Sequence, residues 1–442
     1  MLYMKRTEYQ QPSSHSNAFT EFILTGCEAK NLKISQFGMS SYTANGGGNR
    51  YFPYLAGGSC IIDTITAYNY EDGSIIDQLR NVPSFIAYRT LMNRPDYLYS
   101  SAATQLQGAL NYDLMNDVAP TNPPTAFQLT RGSDQPSIVS GNALITLDLG
   151  DLIHYFLGLD QDSYTQYRAA LKDRNHRRVK QIKQASNGVR CDLVPIRIRI
   201  MYSTKPANML FVGGNQADTY VINPPVLVYD RLDVTDPSKN MTVVYDRYEQ
   251  DVFSTSIDAA KGLGSKLTDD KALYGAVGKL CTELVLINAP QSQDVSNQTS
   301  LSFSSTGLWN ENIQMIVNGL PIIPANKLDT PARKQLYLNY SKPNFTTPLL
   351  GSLYWHQADI LGNGLFGNVG NTTAWYLQRS YSYLALDIGA RINTLRLIRS
   401  YDKFQTNAIS TPSQLGQLNT TIYYRNRYIL SHKDGETLIV SA

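Results

Sequence analysis

SCIIDTITAYNYEDGSIIDQLRN, residues 59–81, carries the pattern from which the rest of the chain can be read. Ile61, Ile62, Ile65, Ala67 and Tyr68 offer branched and aromatic side chains suited to a pleated surface, and Ile75 and Ile76 resume that character after a break. The break is Asp72-Gly73. These two residue types tolerate the positive φ angles of tight turns, so the stretch predicts a β-hairpin. Residues 312–325, NIQMIVNGLPIIPA, repeat the plan: Ile313, Met315 and Val317 alternate, Asn318-Gly319 interrupts, and Leu320, Ile322 and Ile323 return. A second pair matches LITLDLGDL at 144–152 with YLALDIGARI at 383–392. The turn glycines Gly73 and Gly319 are 246 residues apart, and Asp148 and Asp387 are 239 apart. Two pairs at nearly one offset predict two similarly ordered halves.

At 442 residues the chain is too long for one ordinary core and suits two units near 200 residues, since domains usually run to about 100–200. Charged residues make up 17%, below the typical level of about 25%, so a polar, weakly charged surface is expected. Tyrosine is abundant, 30 against 13 Phe and 3 Trp, which fits either a strand-rich protein or one with hydrated interfaces. A net charge of +3 is too small to imply nucleic-acid binding by the whole chain. Cys27, Cys60, Cys191 and Cys281 are far apart and form no CxxC pair, so they read as buried free thiols. The first residues lack the apolar core of a signal peptide, and no stretch reaches the roughly 20 apolar residues of a membrane span. A soluble protein of a reducing compartment, not secreted through a signal peptide, is expected.

Residues 1–18 are polar and read as a flexible arm, followed by a first domain at 19–237 and a second at 238–442, with Asp236-Pro237-Ser238-Lys239-Asn240 as the linker. Short apolar runs separated by Gly, Pro, Asn and Ser recur throughout, the punctuation of an all-β protein built from sandwiches or barrels. Helical spacing is confined to 82–100, 160–183 and 325–340. The middle one gathers Arg168, Lys172, Arg174, Arg177, Arg178, Lys180 and Lys183, suited either to a solvated face or to contact with nucleic-acid phosphates or an acidic neighbour. Residues 190–202 alternate Arg197 and Arg199 with Ile196, Ile198 and Ile200, a strand with one wet face. Tyr220 to Val234 reads as a strand broken at Pro224-Pro225.

Catalytic chemistry is not legible. Residues 362–367, GNGLFG, match the dinucleotide-binding pattern but lack a strand before and a helix after. His15, His154, His176, His356 and His432 are scattered. For the pairs Asp148/Asp151 and Asp269/Asp270, sequence spacing alone does not establish two carboxyls facing each other across a cleft. Asp148 and Asp387 read as strand-end residues that accept from the following backbone. No catalytic residue, metal ligand or cofactor is expected, and Asp72, Gly73, Asn318 and Gly319 are the structural turn residues.

The ordered set of segments resembles the double jelly-roll major capsid proteins of tailless icosahedral double-stranded DNA viruses, the lineage of adenovirus-like, virophage-like and Polinton-like viruses. The segments are IIDTITAYNYEDGSIIDQ, ALITLDLGDLIHYFLG, LVPIRIRIMYS and NPPVLVYD, then KLCTELVLINAP and NIQMIVNGLPIIPA. The resemblance implies two tandem eight-stranded jelly rolls with a few short helices in the connecting loops. It implies a homotrimeric, pseudo-hexagonal capsomer in a virion shell. Its partners would be further copies of itself, penton and minor capsid proteins, and the packaged genome or an internal membrane; it would have no small-molecule substrate. The alternatives are a secreted two-domain β-sandwich that binds or cleaves glycans, and a minor capsid or spike protein of the same kind of virus.

Overall fold

The computed structural model describes residues 5–46, 57–86, 144–157, 188–203, 218–232, 240–256, 267–290, 311–322, 383–401 and 417–442. The first part of the chain contributes β1 (Lys5–Gln10), β2 (Ser14–His15), β3 (Phe19–Leu24), β4 (Glu28–Thr43), β5 (Ile62–Asn69), β6 (Ile75–Arg80), β7 (Leu144–Asp148), β8 (Val189–Arg190), β9 (Ile196–Tyr202), β10 (Thr219–Ile222) and β11 (Val226–Leu232). The second contributes β12 (Met241–Ser256), β13 (Leu267–Ala272), β14 (Leu280–Pro290), β15 (Glu311–Val317), β16 (Leu320–Pro321), β17 (Tyr383–Arg391), β18 (Leu395–Tyr401), β19 (Gln417–Lys433) and β20 (Glu436–Ser441).

The pairing is that of one plan used twice. In the first half β1 pairs β11, β11 pairs β4, and Ile34 of β4 is paired with both Leu227 of β11 and Leu147 of β7, so one sheet reads β1-β11-β4-β7. The facing sheet reads β3-β9-β5-β6, with the two-residue β2 added beyond β3. In the second half Leu284 of β14 is likewise paired on both sides, with Tyr424 of β19 and Leu386 of β17, giving β12-β19-β14-β17. Its facing sheet reads β13-β18-β15-β16. β10 and β11 form one strand interrupted at Pro224-Pro225, because proline supplies no N–H to the ladder. Counting that as one strand and setting aside β2, β8 and β20, each half has eight strands among the described residues. In both, the order across the sheets is first-eighth-third-sixth and second-seventh-fourth-fifth, the arrangement of a jelly roll. The two predicted hairpins are the fourth and fifth strands of their rolls, and the two LDxG segments are the sixth.

The details depart from the expected symmetry. Asn318 and Gly319 have φ of 52° and 80° and join β15 to β16 as a two-residue type I′ turn. In the first hairpin only Gly73 has positive φ, 73°, and residues 70–74 make a wider loop. It is held by the Ser74 N–H on the Asp72 carboxylate at 2.7 Å and the Gly73 N–H on Asn69 O at 2.9 Å. Asp148 ends β7 and accepts from Gly150 N–H at 2.9 Å, as expected, whereas β17 continues past Gly389 to Arg391.

Residues 5–18 are not simply an arm. Lys5–Gln10 is the first strand of the first roll, paired from Lys5↔Leu232 to Gln10↔Leu227, and Ser14–His15 pairs β3. The sequence KRTEYQ hides this because an edge strand held by backbone pairing needs no apolar alternation, and charge on it discourages pairing with other chains. Arg197 and Arg199 do alternate with buried isoleucines, but their face is half-buried rather than wet: the guanidinium groups lie over the rings of Tyr68 and Phe19 at 4.7 and 4.8 Å. Residues 82–86 form a helical turn. The helices expected at 160–183 and 325–340, the GNGLFG segment and all of the expected linker but Asn240 lie outside the described residues.

Candidate functional site: the seam between the two rolls

The sheet β12-β19-β14-β17 is covered on both faces. Along β19, Ile422 and Tyr424 belong to the second roll's own core with Leu284, Leu286 and Met315, while Tyr423 belongs to the core of the first roll, as does Val285 of β14. Because side chains alternate across a strand, each face takes every second residue, and burial of both faces turns the sequence into the unbroken apolar runs LVLI and IYY.

The first roll meets this wall with three elements. β6 brings Ile76 and Asp77, residues 81–86 bring Asn81, Val82 and Phe85, and the 3-10 turn His154–Leu157 brings His154 and Tyr155. Phe85 wedges between Tyr248 and Tyr423, with ring centroids at 4.5 and 5.4 Å. His154 meets the edge of Tyr248 at 5.4 Å, and Tyr155 that of Tyr245 at 5.3 Å. The tyrosine hydroxyls are used as well. Tyr245 donates to Ile76 O at 2.6 Å and Tyr423 donates to Asn81 O at 2.9 Å. Asn81 has φ of 50°, the left-handed conformation Asn tolerates best among side-chain-bearing residues, and there the chain turns out of β6.

Two charged arrangements are buried along the same wall. Arg425, 2% exposed, reaches Asp246 at 2.7 Å and Glu283 at 3.4 Å, and its guanidinium lies 5.8 Å from the Tyr248 ring. Asp77 accepts from Tyr155 N–H at 3.2 Å and from Gln78 N–H at 2.8 Å. Burial pushes its carboxyl from the usual 3.8 up to about 7, against the opposing pull of those amides and of Arg247.

Among the described residues, those singled out in the sequence do not converge on a reactive centre. Asp72-Gly73 and Asn318-Gly319 sit in turns of two different sheets. Asp269 pairs with Arg399 at 3.1 Å, and Asp270 pairs with Arg396, so these carboxylates are held by arginines of β18. His15 bonds Thr20 and Ile222 O, and His432 bonds Thr437. Among the described residues no three His, Cys, Asp or Glu side chains are grouped to hold a metal ion. Arg168, Lys172, Arg174, Arg177, Arg178, Lys180 and Lys183, with His176 and His356, lie outside the described residues. The seam itself was missed, although LVLI and IYY carried the signal of strands covered on both faces.

No protein-family model and no curated protein matches the sequence. Solved structures do match over the whole chain. The structure of PBCV-1 VP54 fitted into a cryo-EM reconstruction of the virophage Sputnik is 9% identical, with a TM-score of 0.53, over 100% of this chain and 98% of that one. The quasi-atomic model of the PBCV-1 virus capsid is 10% identical, with a TM-score of 0.51, over 100% and 98%. The cryo-EM structure of the Sputnik virophage is 10% identical, with a TM-score of 0.53, over 99% and 88%. With two eight-stranded rolls in the same chain order and this likeness along its full length, the chain has the double jelly-roll fold.

Proposed function

We propose that the chain is a structural major capsid protein that tiles an icosahedral virus shell as a pseudo-hexagonal homotrimer. The observation that carries the reading is the shared wall: the two rolls are packed into one block by the aromatic seam, and three such blocks around a three-fold axis present six similar rolls to their neighbours. The likeness to the PBCV-1 capsid structure supports the same role. Equivalent points on the two rolls also carry exposed apolar groups, Tyr70 beside the β5–β6 turn and Leu320 at the β15–β16 turn, as quasi-equivalent contacts require. Within this reading the rolls are residues 19–237 with the added β1 strand and residues 238–442. The protein resides in the virion shell, contacts copies of itself, pentons and minor capsid proteins, and performs no catalysis. The basic segment with Arg168, Lys172, Arg174, Arg177, Arg178, Lys180 and Lys183 is assigned to an acidic partner or the packaged genome.

Light scattering of the purified protein tests the reading, with three times the 49.3 kDa chain mass expected for the isolated capsomer and hexagonal outlines in negative-stain images. A monomer that persists at high protein concentration, without hexagonal particles, overturns it.

A further inference from the structure

Two of the four cysteines meet at one corner of the first roll. Cys27 lies on the crossing from β3 to β4 and Cys191 on the crossing from β8 to β9, and in both places the chain passes between the two sheets of the sandwich. β4 and β8 pair antiparallel with Ala29 opposite Val189 and Glu28 opposite Arg190. One further step in that register sets Cys27 opposite Cys191. The Gly26 N–H donates to Cys191 O at 3.1 Å, which holds the two chain crossings together beside the thiols. Both side chains are buried, yet Thr25 and Gly26 beside Cys27 are exposed and Asp192 beside Cys191 is half-buried. The pair therefore lies just under the surface, beneath a turn closed by the two-pronged Arg190–Asp192 contact at 2.8 and 2.7 Å. Directly opposed residues on antiparallel strands hold their Cβ atoms about 4.5–5.5 Å apart, a small adjustment from the roughly 3.5–4.5 Å of a disulfide.

We propose that Cys27 and Cys191 are a reversible redox staple: free thiols in a reducing cell that close to a disulfide across this corner in an oxidising medium. The Cys27 thiol is held below its ordinary value of 9.0 by the neighbouring Cys191 side chain and by Arg231, against the effect of burial, while the Cys191 thiol is pushed up. Cys27 is thus the first nucleophile. Its thiolate attacks one sulfur of glutathione disulfide and releases one glutathione thiolate. The Cys191 thiol then loses its proton and attacks the Cys27 sulfur, forming the Cys27–Cys191 bond and releasing the second glutathione. The protein loses two electrons and two protons, and one glutathione disulfide becomes two thiols. Cys60, whose thiol burial raises well above the ordinary range, and Cys281, raised to about 12, stay reduced. The staple joins points 164 residues apart, so it restricts the unfolded chain strongly and stabilises the roll whether or not the capsid reading holds.

The full-length protein is equilibrated in glutathione buffers from fully reducing to fully oxidising, denatured, alkylated and mapped by mass spectrometry. The expected result in oxidising buffer is loss of two hydrogens in mass, two alkylated cysteines (Cys60 and Cys281), a Cys27–Cys191 cross-linked peptide, and an unfolding midpoint raised by several degrees. Cys60→Ser and Cys281→Ser retain the link, and Cys27→Ser abolishes it. Four alkylated cysteines in the most oxidising buffer, a glutathione adduct left on a single thiol, or a bond to Cys60, to Cys281 or between chains overturns the inference, and the mapping of the wild-type chain requires no variant to fold.

Discussion

Asp77 shows what a buried carboxyl with no close cationic partner among the described residues costs a seam made largely of rings. Unfolded, it titrates near 3.8; folded, near 7, because burial disfavours its charge more than the amides of Gln78 and Tyr155 and the guanidinium of Arg247 favour it. The folded state therefore holds a proton that the unfolded state has released, and stability falls as pH rises from about 4 to about 7, then levels. Asp77→Asn keeps an acceptor for one of the two amides, which bond different carboxyl oxygens, and removes the titration. Relative to the wild type it should gain up to about 4 kcal/mol between pH 4 and neutral pH, at roughly 1.4 kcal/mol per pH unit across the interval. Urea unfolding at a series of pH values checks this, and parallel curves for the two proteins would mean that Asp77 ionises in the fold without penalty. Arg425 poses the complementary case: its pairing with Asp246 and Glu283 offsets the cost of burying three charges, an arrangement that fixes which surfaces can meet rather than adding much net stability. Tyrosine, whose abundance alone could not separate an interior role from an interfacial one, serves at several places here as an apolar ring whose hydroxyl finds a buried or half-buried acceptor. Tyr245 on Ile76 O, Tyr424 on Asp251 and Tyr428 on Glu249 are examples.

At the scale of elements, the two hairpins look alike in sequence but are stabilised differently. Asn318 not only adopts positive φ but also accepts from Asn393 and Thr394 N–H at 2.6 and 3.2 Å and donates to Arg391 O at 2.8 Å, tying the β15–β16 turn to the β17–β18 connection. Asn318→Gly preserves the turn and loses those three bonds, so it should destabilise by about 1–2 kcal/mol even though Gly suits the dihedrals. Gly319→Val should cost at least about 1 kcal/mol from the left-handed φ alone, since nothing lies within 4 Å of the added Cβ. Chemical denaturation reads both; an Asn318→Gly protein as stable as wild type would show that the side chain only shapes the turn. Most strands could be read because one of their faces is buried: IRIRIMY gives β9 and the apolar returns around Asp72-Gly73 and Asn318-Gly319 give the hairpins. β1 could not, because KRTEYQ is positioned by its backbone partner and carries no period of its own. The seam could not be located either, because the alternation of Tyr423 with Tyr424 names two covered faces without saying which part of the chain covers each.

At the scale of the molecule, that second covered face joins the rolls into one cooperative structure. Tyr423, Val285 and Tyr248 belong to the same buried cluster as Phe22, Ile65 and Ile198 of the first roll, so the core crosses from one roll to the other without an intervening polar layer. If the rolls separated, those rings and the Arg425 group would face water on one side, and Phe85 would lose both of its aromatic neighbours. The intact chain should therefore unfold in a single transition, with van't Hoff and calorimetric enthalpies in agreement, despite a length at which separate domain transitions are common. Phe85 is the side chain to test, because it is fully buried and touches the second roll at two rings while lying outside its sheets. Phe85→Ala should cost about 3–5 kcal/mol, the range for emptying a buried aromatic site. The loss should fall on the coupling between the rolls, so that the single transition resolves into two, each with part of the original enthalpy. A wild-type chain that already unfolds in two steps would show that each roll is stable alone and that the seam only orients them. Phe85→Ala with one transition shifted bodily to lower temperature would show that the remaining contacts, Tyr245 on Ile76 O and Tyr155 on Tyr245, suffice to keep the two rolls a single unit.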